Sequence, residues 1–397
     1  MNLSLTASTV EGNSVDIEGI KEFSGKNAGI CYGSKGYYGT AVTDSEKAYK
    51  RFGTVAATGH HSIADHVYVT VLLEDTPKML LMLLNSLGVY ATSEKSGRYT
   101  KMTGCSEEDV ELYNKWMTIF DNLIGSKYPQ LAERRRLNLA KENARYLLSI
   151  FTPACMSYTA SIRQWNYIID WCDGFASSSL TKNYFNNTLK ACVQELSNWL
   201  KDNLYIDELR DNKHRSFDFL AVQTDSMWAD FKPNDIYYGN TYQTMYDVSL
   251  VSLAHLIRHR TLKYYMLFNG EVRNYYVPAI IKNTDYEREW LADLESVEQY
   301  IPGATLVNVV ETGTLDNFIL KCEERLCGRA MKETCDNVND VLQDMICHGA
   351  SGRFTRQARE RLHSLQGEHT SKTKCQLLGS CKEPCEFPCE ACFKRLV

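Results

Sequence analysis

The chain has 397 residues, 44% of them hydrophobic and 11% aromatic, enough for packed cores in two or three domains. A formal charge of -5 gives no global attraction to nucleic acid or to an anionic membrane, so any anion site has to be local. The N-terminal MNLSLTASTVEGNS lacks a basic region followed by an apolar core, and the apolar run around MLLMLLNSLGVY is too short for a membrane span; both predict a cytoplasmic protein.

In chain order, HVYVTVLLE (66–74) alternates as a half-buried strand and leads into an apolar helix, PKMLLMLLNSLG (77–88). SEEDVELYNKWMTIFDNLI opens on Ser106, an N-cap candidate followed by acidic residues, and has helical periodicity. YPQLAERRRLNLAKENARYLL continues as helix, and FTPACMSYTASIRQWNYIIDWC passes from an extended piece into another helix. Further on, MYDVSLVSLAHLIRHR supplies an apolar helix, DYEREWLADLESVEQY a charged one, IPGATLVNVVETGT an extended crossing and LDNFILKCEERLCGRAMKE the helix after it. The order of elements therefore occurs twice, which predicts diverged copies of one unit over 1–209 and 210–348, followed by a tail over 349–397. Neither copy carries a glycine-rich dinucleotide fingerprint, a P-loop or a nucleophile elbow.

LIRHRT (256–261) ends an apolar element with Arg258, His259 and Arg260 and no acidic residue nearby. Such a cluster at a helix end either caps the helix dipole or waits for an anion. His60 and His66 in GHHSIADH read as structural histidines or as a metal pair, while Cys155 and Cys327, with no positioned base nearby, read as structural thiols.

Of fourteen cysteines, nine are scattered through the first 350 residues and read as reduced thiols. The other five, Cys375, Cys381, Cys385, Cys389 and Cys392, fall within eighteen residues of a proline- and charge-rich tail with little apolar material. A zinc ion or an iron–sulfur cluster on four of these thiolates would organise it, with Cys389-x-x-Cys392 as the chelating pair and His363 and His369 as weaker ligands. The alternative is a disordered or oxidisable tail. Upstream, Arg353, Arg356, Arg359 and Arg361 recur at near-helical spacing, as a solvated face or a phosphate-contacting patch.

With these residues in view, the chain resembles the flavin-dependent thymidylate synthases, whose motifs run GHxSxxEH, RHRxxSxNExSxRY, AR…P…T, NxR and LR. The first half holds TGHHSIADHVYVT, matching with Gly59, His60, Ser62, Asp65 in place of Glu, and His66, and SEKSGRY, matching with Glu94, Ser96, Gly97, Arg98 and Tyr99. Where RHR should stand it has only NSLG. The second half has Arg258, His259 and Arg260 but has lost the residues of SxRY and of GHxS. Arg145 occupies the AR position and Arg163 the NxR position of the first half; Arg325 occupies the LR position of the second, where the first has Cys172. The offset between copies is 258 minus 86, or 172, at the RHR slot and 316 minus 163, or 153, at the NxR slot, so about twenty residues are missing between these points.

The resemblance implies an α+β fold of two tandem repeats, each a small mixed sheet packed with long helices, plus a short cysteine-rich tail. It implies reductive methylation of dUMP to dTMP with FAD as cofactor and methylenetetrahydrofolate and NADPH as co-substrates. The family's sites lie between subunits of a homotetramer, so complementary losses imply one composite site per fused pair and a homodimer. The nucleotide falls to Glu94, Ser96, Gly97, Arg98, Arg145, His255 and Arg325, with Ser96, Arg98 and Arg325 nearest the chemistry, and the flavin to His60, Arg163, Arg258, His259 and Arg260. His255 and Ser93 depart from the family's glutamine and asparagine, which leaves open hydroxymethylation or another pyrimidine nucleotide. A decayed scaffold that binds nucleic acid through its basic helix and tail is the alternative of a different class.

Overall fold

The computed structural model describes residues 1–9, 16–31, 44–86, 90–210, 241–349, 356–368, 370–379, 385–387, 389 and 391–397. The fold is mixed α+β, and its chain contacts divide it into two compact units, residues 1–95 with 153–219 and residues 96–152 with 220–397. This division differs from the boundaries expected from the sequence: the segment 96–152 shares a unit with the second half and the tail.

The first unit contains β1 (Asn2–Ser8), β2 (Tyr68–Pro77), β3 (Ala91–Glu94) and β4 (Pro153–Ser161) in an antiparallel sheet ordered β1-β2-β4-β3. Val69, Val71 and Leu73 alternate into the core, as the two-residue period of the sequence requires. Helices α1 (Ile17–Ala28), α2 (Ser45–Ala57), α3 (Lys78–Asn85), α4 (Ile162–Ser177) and α5 (Tyr184–Leu204) complete the unit. The predicted strand, the apolar helix after it and the strand-to-helix crossing at 153–177 all form.

The second unit contains β5 (Thr241–Ser249), β6 (Lys263–Leu267) and β7 (Leu306–Thr314), antiparallel in the order β5-β7-β6. Its long helix Glu107–Lys127 starts at Ser106 in a capping box with Asp109, as the sequence indicates. Three expected helices are shorter. MYDVS belongs to β5, because its side chains alternate across the sheet, and only Leu250–Leu256 is helical. The basic YPQLAERRR stretch becomes helical at Glu133 and ends at Ala144, giving way to a 3-10 turn at Arg145–Leu147. DYEREWLADLES (Asp285–Ser296) is helical, but Glu298–Tyr300 is a 3-10 turn ending at Ile301 in the left-handed region.

The two three-stranded motifs share strand order, and β3–β4 and β6–β7 share register, while β2–β4 matches β5–β7 at Thr76 and Pro77 and departs by one residue beyond the irregularity between Leu73 and Thr76. The helices after β2 and β5 start at Lys78 and Leu250, and 250 minus 78 is again 172; those after β4 and β7 start at Ile162 and Leu315, and 315 minus 162 is again 153. Within the second unit, Ser149 forms a bridge with Pro302, its own counterpart at the second of these offsets, since 302 minus 149 is 153. The flanking bonds repeat with the roles exchanged: Ile150 N–H donates to Ile301 O (3.0 Å) and Gly303 N–H to Leu148 O (2.8 Å), so that Leu148 and its counterpart Ile301 both serve as acceptors.

Candidate anion site

Eight of the sequence-predicted residues, Ser96, Gly97, Arg98, Arg145, His255, Arg258, His259 and Arg325, lie in the second unit. Ser249, the last residue of β5, caps the helix Leu250–Leu256 by accepting from Ser252 N–H at 2.9 Å. Its own N–H and Oγ–H donate to the buried Glu333 carboxylate at 2.7 and 2.6 Å, which fixes the helix that carries His255 at its end. Arg258 and His259 lie in the turn that follows, with His259 N–H donating to Leu256 O (2.9 Å).

From the other side come Arg98 and Arg145. Arg98 N–H donates to Ser96 Oγ at 3.3 Å, a turn that sets the direction of the arginine. The Arg98 Nε donates to Glu142 Oε2 at 2.5 Å and Nη2 to Arg329 O at 2.7 Å. Gly97 serves close approach: a Cβ there would lie 3.3 Å from Met102 Cγ and 3.5 Å from Arg145 Cδ. Arg145 gives Nη2 to the thioether of Met331 at 2.9 Å, a weak acceptor, and its buried Nε has no hydrogen-bond partner. Arg325, at the end of the helix Leu315–Arg325, also holds a buried Nε without one.

The electrostatics show how these groups feel one another. Burial pushes the Arg145 guanidinium down from its ordinary range, and Glu142 only partly offsets this. Arg325 is likewise lowered by burial, opposed by Glu324 and Tyr264 and reinforced by Arg98 and Arg258. Burial lowers His255 well below the ordinary imidazole range, and Arg325, Arg98, Arg145 and His259 add to it, so His255 is neutral. His259 is pushed down to about 3 by burial, then by Arg325 and Lys321; its Nε2 has no hydrogen bond and lies 3.6 Å from Glu324. Burial disfavours the Glu142 carboxylate, but Arg98 and Arg145 outweigh it and hold it below its ordinary range. Arg98, Arg145 and Arg325 thus lie among Glu142, Glu324 and Glu333, and the buried Nε–H groups of Arg145 and Arg325 are unspent. An oxyanion would complete the arrangement.

The remaining candidates lie elsewhere. Glu94, in the first unit, is buried and engaged by Lys78 and by Asn85 (2.8 Å). Arg163 pairs with Asp65 at 2.6 Å and lies over the Tyr167 ring, while His60 is exposed at the start of a 3-10 turn; the neighbouring His61 is buried against Tyr167 Oη at 2.9 Å. Arg260 is exposed. Among the described residues no group of three or more His, Cys, Asp or Glu side chains could hold a metal, and Cys381 and His369 lie outside them. Cys392 Sγ accepts from Arg395 Nη1 at 3.3 Å, and the same nitrogen lies 3.9 Å from Cys335 Sγ of the helix Lys332–Asp344. Of the basic tail face, Arg353 lies outside the described residues, Arg356 pairs with Glu360 and Arg361 with Asp316.

Sequence reasoning missed Glu142, Arg329 and Met331, which hold Arg98 and Arg145, and Glu333, which fixes Ser249. Only Glu142 left a trace, standing one helical turn before Arg145 in KENARY.

Residues 21–174 match the model of a family described as thymidylate synthase complementing protein. The match covers 154 of the 397 residues. The match takes in Arg98 and Arg145 and stops before Arg258 and Arg325. No curated protein matches the chain. Among solved structures, thymidylate synthase X of Helicobacter pylori with FAD and dUMP is 14% identical, over 52% of this chain and 95% of that one, with a TM-score of 0.32. A UMP/dUMP methylase, PolB of Streptomyces cacaoi bound with 5-Br dUMP, is 15% identical over 43% and 76%, with a TM-score of 0.28. No described helix is long and apolar enough to cross a membrane.

Proposed function

We propose that the chain methylates dUMP to dTMP with methylenetetrahydrofolate as carbon donor, FAD as cofactor and NADPH as reductant, in one composite site built within a single chain. The observation that carries this reading is the gathering of Arg98 and Arg145 with His255, His259 and Arg325, where buried N–H groups of Arg145 and Arg325 lack acceptors. The family match of residues 21–174 supports the reaction class. The two offsets of 172 and 153 and the self-complementary contact around Ser149 and Pro302 support descent from a duplicated unit, whose former intersubunit face is now internal.

In this reading Arg145 and Arg325 receive the nucleotide phosphate with the N–H groups left open to it, and Arg98, held by Glu142 and Arg329 O, directs positive charge toward the pyrimidine carbonyls. His255, neutral among arginines, contributes one ring N–H without adding repulsion. The donor set fits an anionic cofactor too: Arg258, His259 and Arg260 would hold FAD, which supplies hydride chemistry when bound. The family's tetramer corresponds to two such chains, hence a homodimer with one site per chain. Nothing in the reaction calls on the tail thiols.

Incubation with FAD, NADPH, methylenetetrahydrofolate and dUMP, read by mass analysis of the nucleotide, tests the proposal. Addition of one methyl is expected, and Arg325→Ala should reduce turnover by roughly 100-fold or more. A hydroxymethyl product would redirect the reading to the alternative modification, and colourless protein that binds DNA or RNA would replace it by the scaffold. Mixing Arg98→Ala with Arg325→Ala protein after dissociation should recover no activity; recovery would place the two halves of the site on different chains.

A further inference from the structure

The proposed reaction makes no use of the tail thiols, yet within the second unit the tail closes on the stretch that carries the holders of the anion site. That stretch is the turn at 326–331, directly after Arg325 ends its helix. In it Arg329 O accepts from Arg98 Nη2 and Met331 Sδ from Arg145 Nη2. The turn is braced internally by Cys327 N–H donating to Arg325 O (2.8 Å) and Ala330 N–H to Cys327 O (3.0 Å). Two of its carbonyls are answered by the tail: Leu326 O accepts from Lys374 N–H at 2.7 Å and Ala330 O from Arg395 Nη2 at 2.8 Å.

Arg395 is buried, and its guanidinium is fixed from behind by the tail itself, with Nη1 donating to Cys392 O (2.6 Å) and Nε to Val397 O (2.8 Å). A planar fork held on two edges leaves its third donor one direction, toward Ala330 O. The tail in turn is anchored away from the turn: the Phe387 ring stands edge-on to Tyr128 at 5.3 Å, and Leu396 N–H donates to Tyr128 Oη at 2.9 Å, at the end of the helix Glu107–Lys127. Its backbone lies directly on the turn at Gly328, where a Cβ would come within 2.5 Å of Phe387 O and 2.7 Å of Cys385 Sγ, so glycine is required there. Ala330 stands between Arg329 and Met331. Because peptide units are rigid planes that pivot on their Cα atoms, displacement of the Ala330 carbonyl moves both neighbours.

We propose that Arg395 is a positioning residue of the anion site, which through Ala330 O fixes the two residues that hold Arg98 and Arg145, and that the cysteine-rich tail is the clamp that keeps it in place. On the reading of that site as the seat of the nucleotide phosphate, losing the clamp leaves every anion-binding side chain present but its holder loose, so the cost falls on anion affinity. The tail then serves the site through its backbone and one arginine rather than through its thiols.

The test uses the full-length protein with Arg395→Met and, separately, Gly328→Ala, which pushes the tail off the turn while keeping the Arg395 charge. Hydrogen exchange across 326–331 reads the clamp without any ligand, and calorimetric titration with inorganic phosphate and with dUMP reads its consequence. Both variants are expected to exchange faster there and to bind phosphate at least about fivefold more weakly, the net worth of one hydrogen bond. Unchanged exchange would overturn the proposal, and so would faster exchange or a lower melting temperature with unchanged phosphate affinity, which would make the tail a stability element alone. Weaker binding in Arg395→Met only, with Gly328→Ala binding as the unaltered protein does, would reduce the arginine to its charge and also overturn it. Should Arg395→Met fail to fold, Gly328→Ala decides by itself. Phosphate bound by the unaltered protein without dUMP would end the proposed reaction and leave the clamp standing, whereas no phosphate binding at all would remove the site and the clamp's role with it.

Discussion

The two sheet motifs, alike in strand order, place their buried charge at different points. In the first, Glu94 at the end of β3 is sealed against Lys78 and Asn85. The offset of 172 carries Glu94, Lys78 and Asn85 onto Met266, Leu250 and Ile257 of the second, all buried and apolar. The second motif keeps its ion pair elsewhere: Lys321 donates to Glu311 at 2.5 Å, both fully buried, while Tyr242 Oη–H (2.5 Å) and Tyr246 Oη–H also donate to the carboxylate. The Lys321 ammonium also lies over the Tyr246, Tyr264 and Phe318 rings. The offset of 153 carries Glu311 and Lys321 back onto Tyr158 and Ile168, which are buried without charge. Register supports the equivalence, since Glu94 faces Met156 across the sheet and Met266 faces Val309, and 309 minus 156 is 153. One backbone pattern therefore accepts either an apolar filling or an ion pair at a given place, provided every polar atom of the pair is answered.

The largest expected effect breaks this at the second motif. Lys321→Met leaves Glu311 buried without its cation and should cost about 3–5 kcal/mol of stability in denaturant unfolding. Adding Glu311→Leu, toward the uncharged filling of the first motif, should recover much of that; a double variant no better than the single one would mean that the network is indispensable as a whole. A smaller loss, about 1–3 kcal/mol, is expected from Lys78→Met, because Asn85 continues to answer Glu94 and Lys78 is partly exposed.

The smallest effect at neutral pH concerns His259; the residue 172 positions before it is Leu87. Burial, Arg325 and Lys321 depress its folded-state value to about 3, whereas an unfolded histidine titrates near ~6.5. The unfolded chain then binds more protons between these values, so stability is full above the higher one and falls as pH drops toward the lower. His259→Leu should leave stability at pH 8 nearly unchanged and flatten the decline between about pH 6.5 and 4, measured by thermal unfolding across pH. An unchanged acid profile would show that His259 is not held neutral.

Periodicity by itself determined the strand at 68–77, the apolar helix after it, the Ser106 cap and both strand-to-helix crossings, because these follow from local alternation and capping chemistry. The offsets of 172 and 153 came instead from the motif slots of the family resemblance, and the helix starts at Lys78, Leu250, Ile162 and Leu315 have the same spacing. Helix ends at 133, 250 and 297 were not legible, for there sheet pairing and left-handed backbone at Ile301 overrode apolar content. Only tertiary structure decided that 96–152 packs with the second half, since that choice rests on contacts such as Ser149 with Pro302 whose energy no local pattern records. For the same reason the arginines were visible in the sequence, while Glu142 and Met331, which hold Arg98 and Arg145, were not, because which groups face them is settled by packing. The cysteine tail is the sharpest case. Spacing suggested that its thiols serve one another, but Cys392 Sγ accepts from Arg395 Nη1 at 3.3 Å, and the same nitrogen lies 3.9 Å from Cys335 Sγ of the helix Lys332–Asp344, a neighbour brought in by the fold of the chain between them.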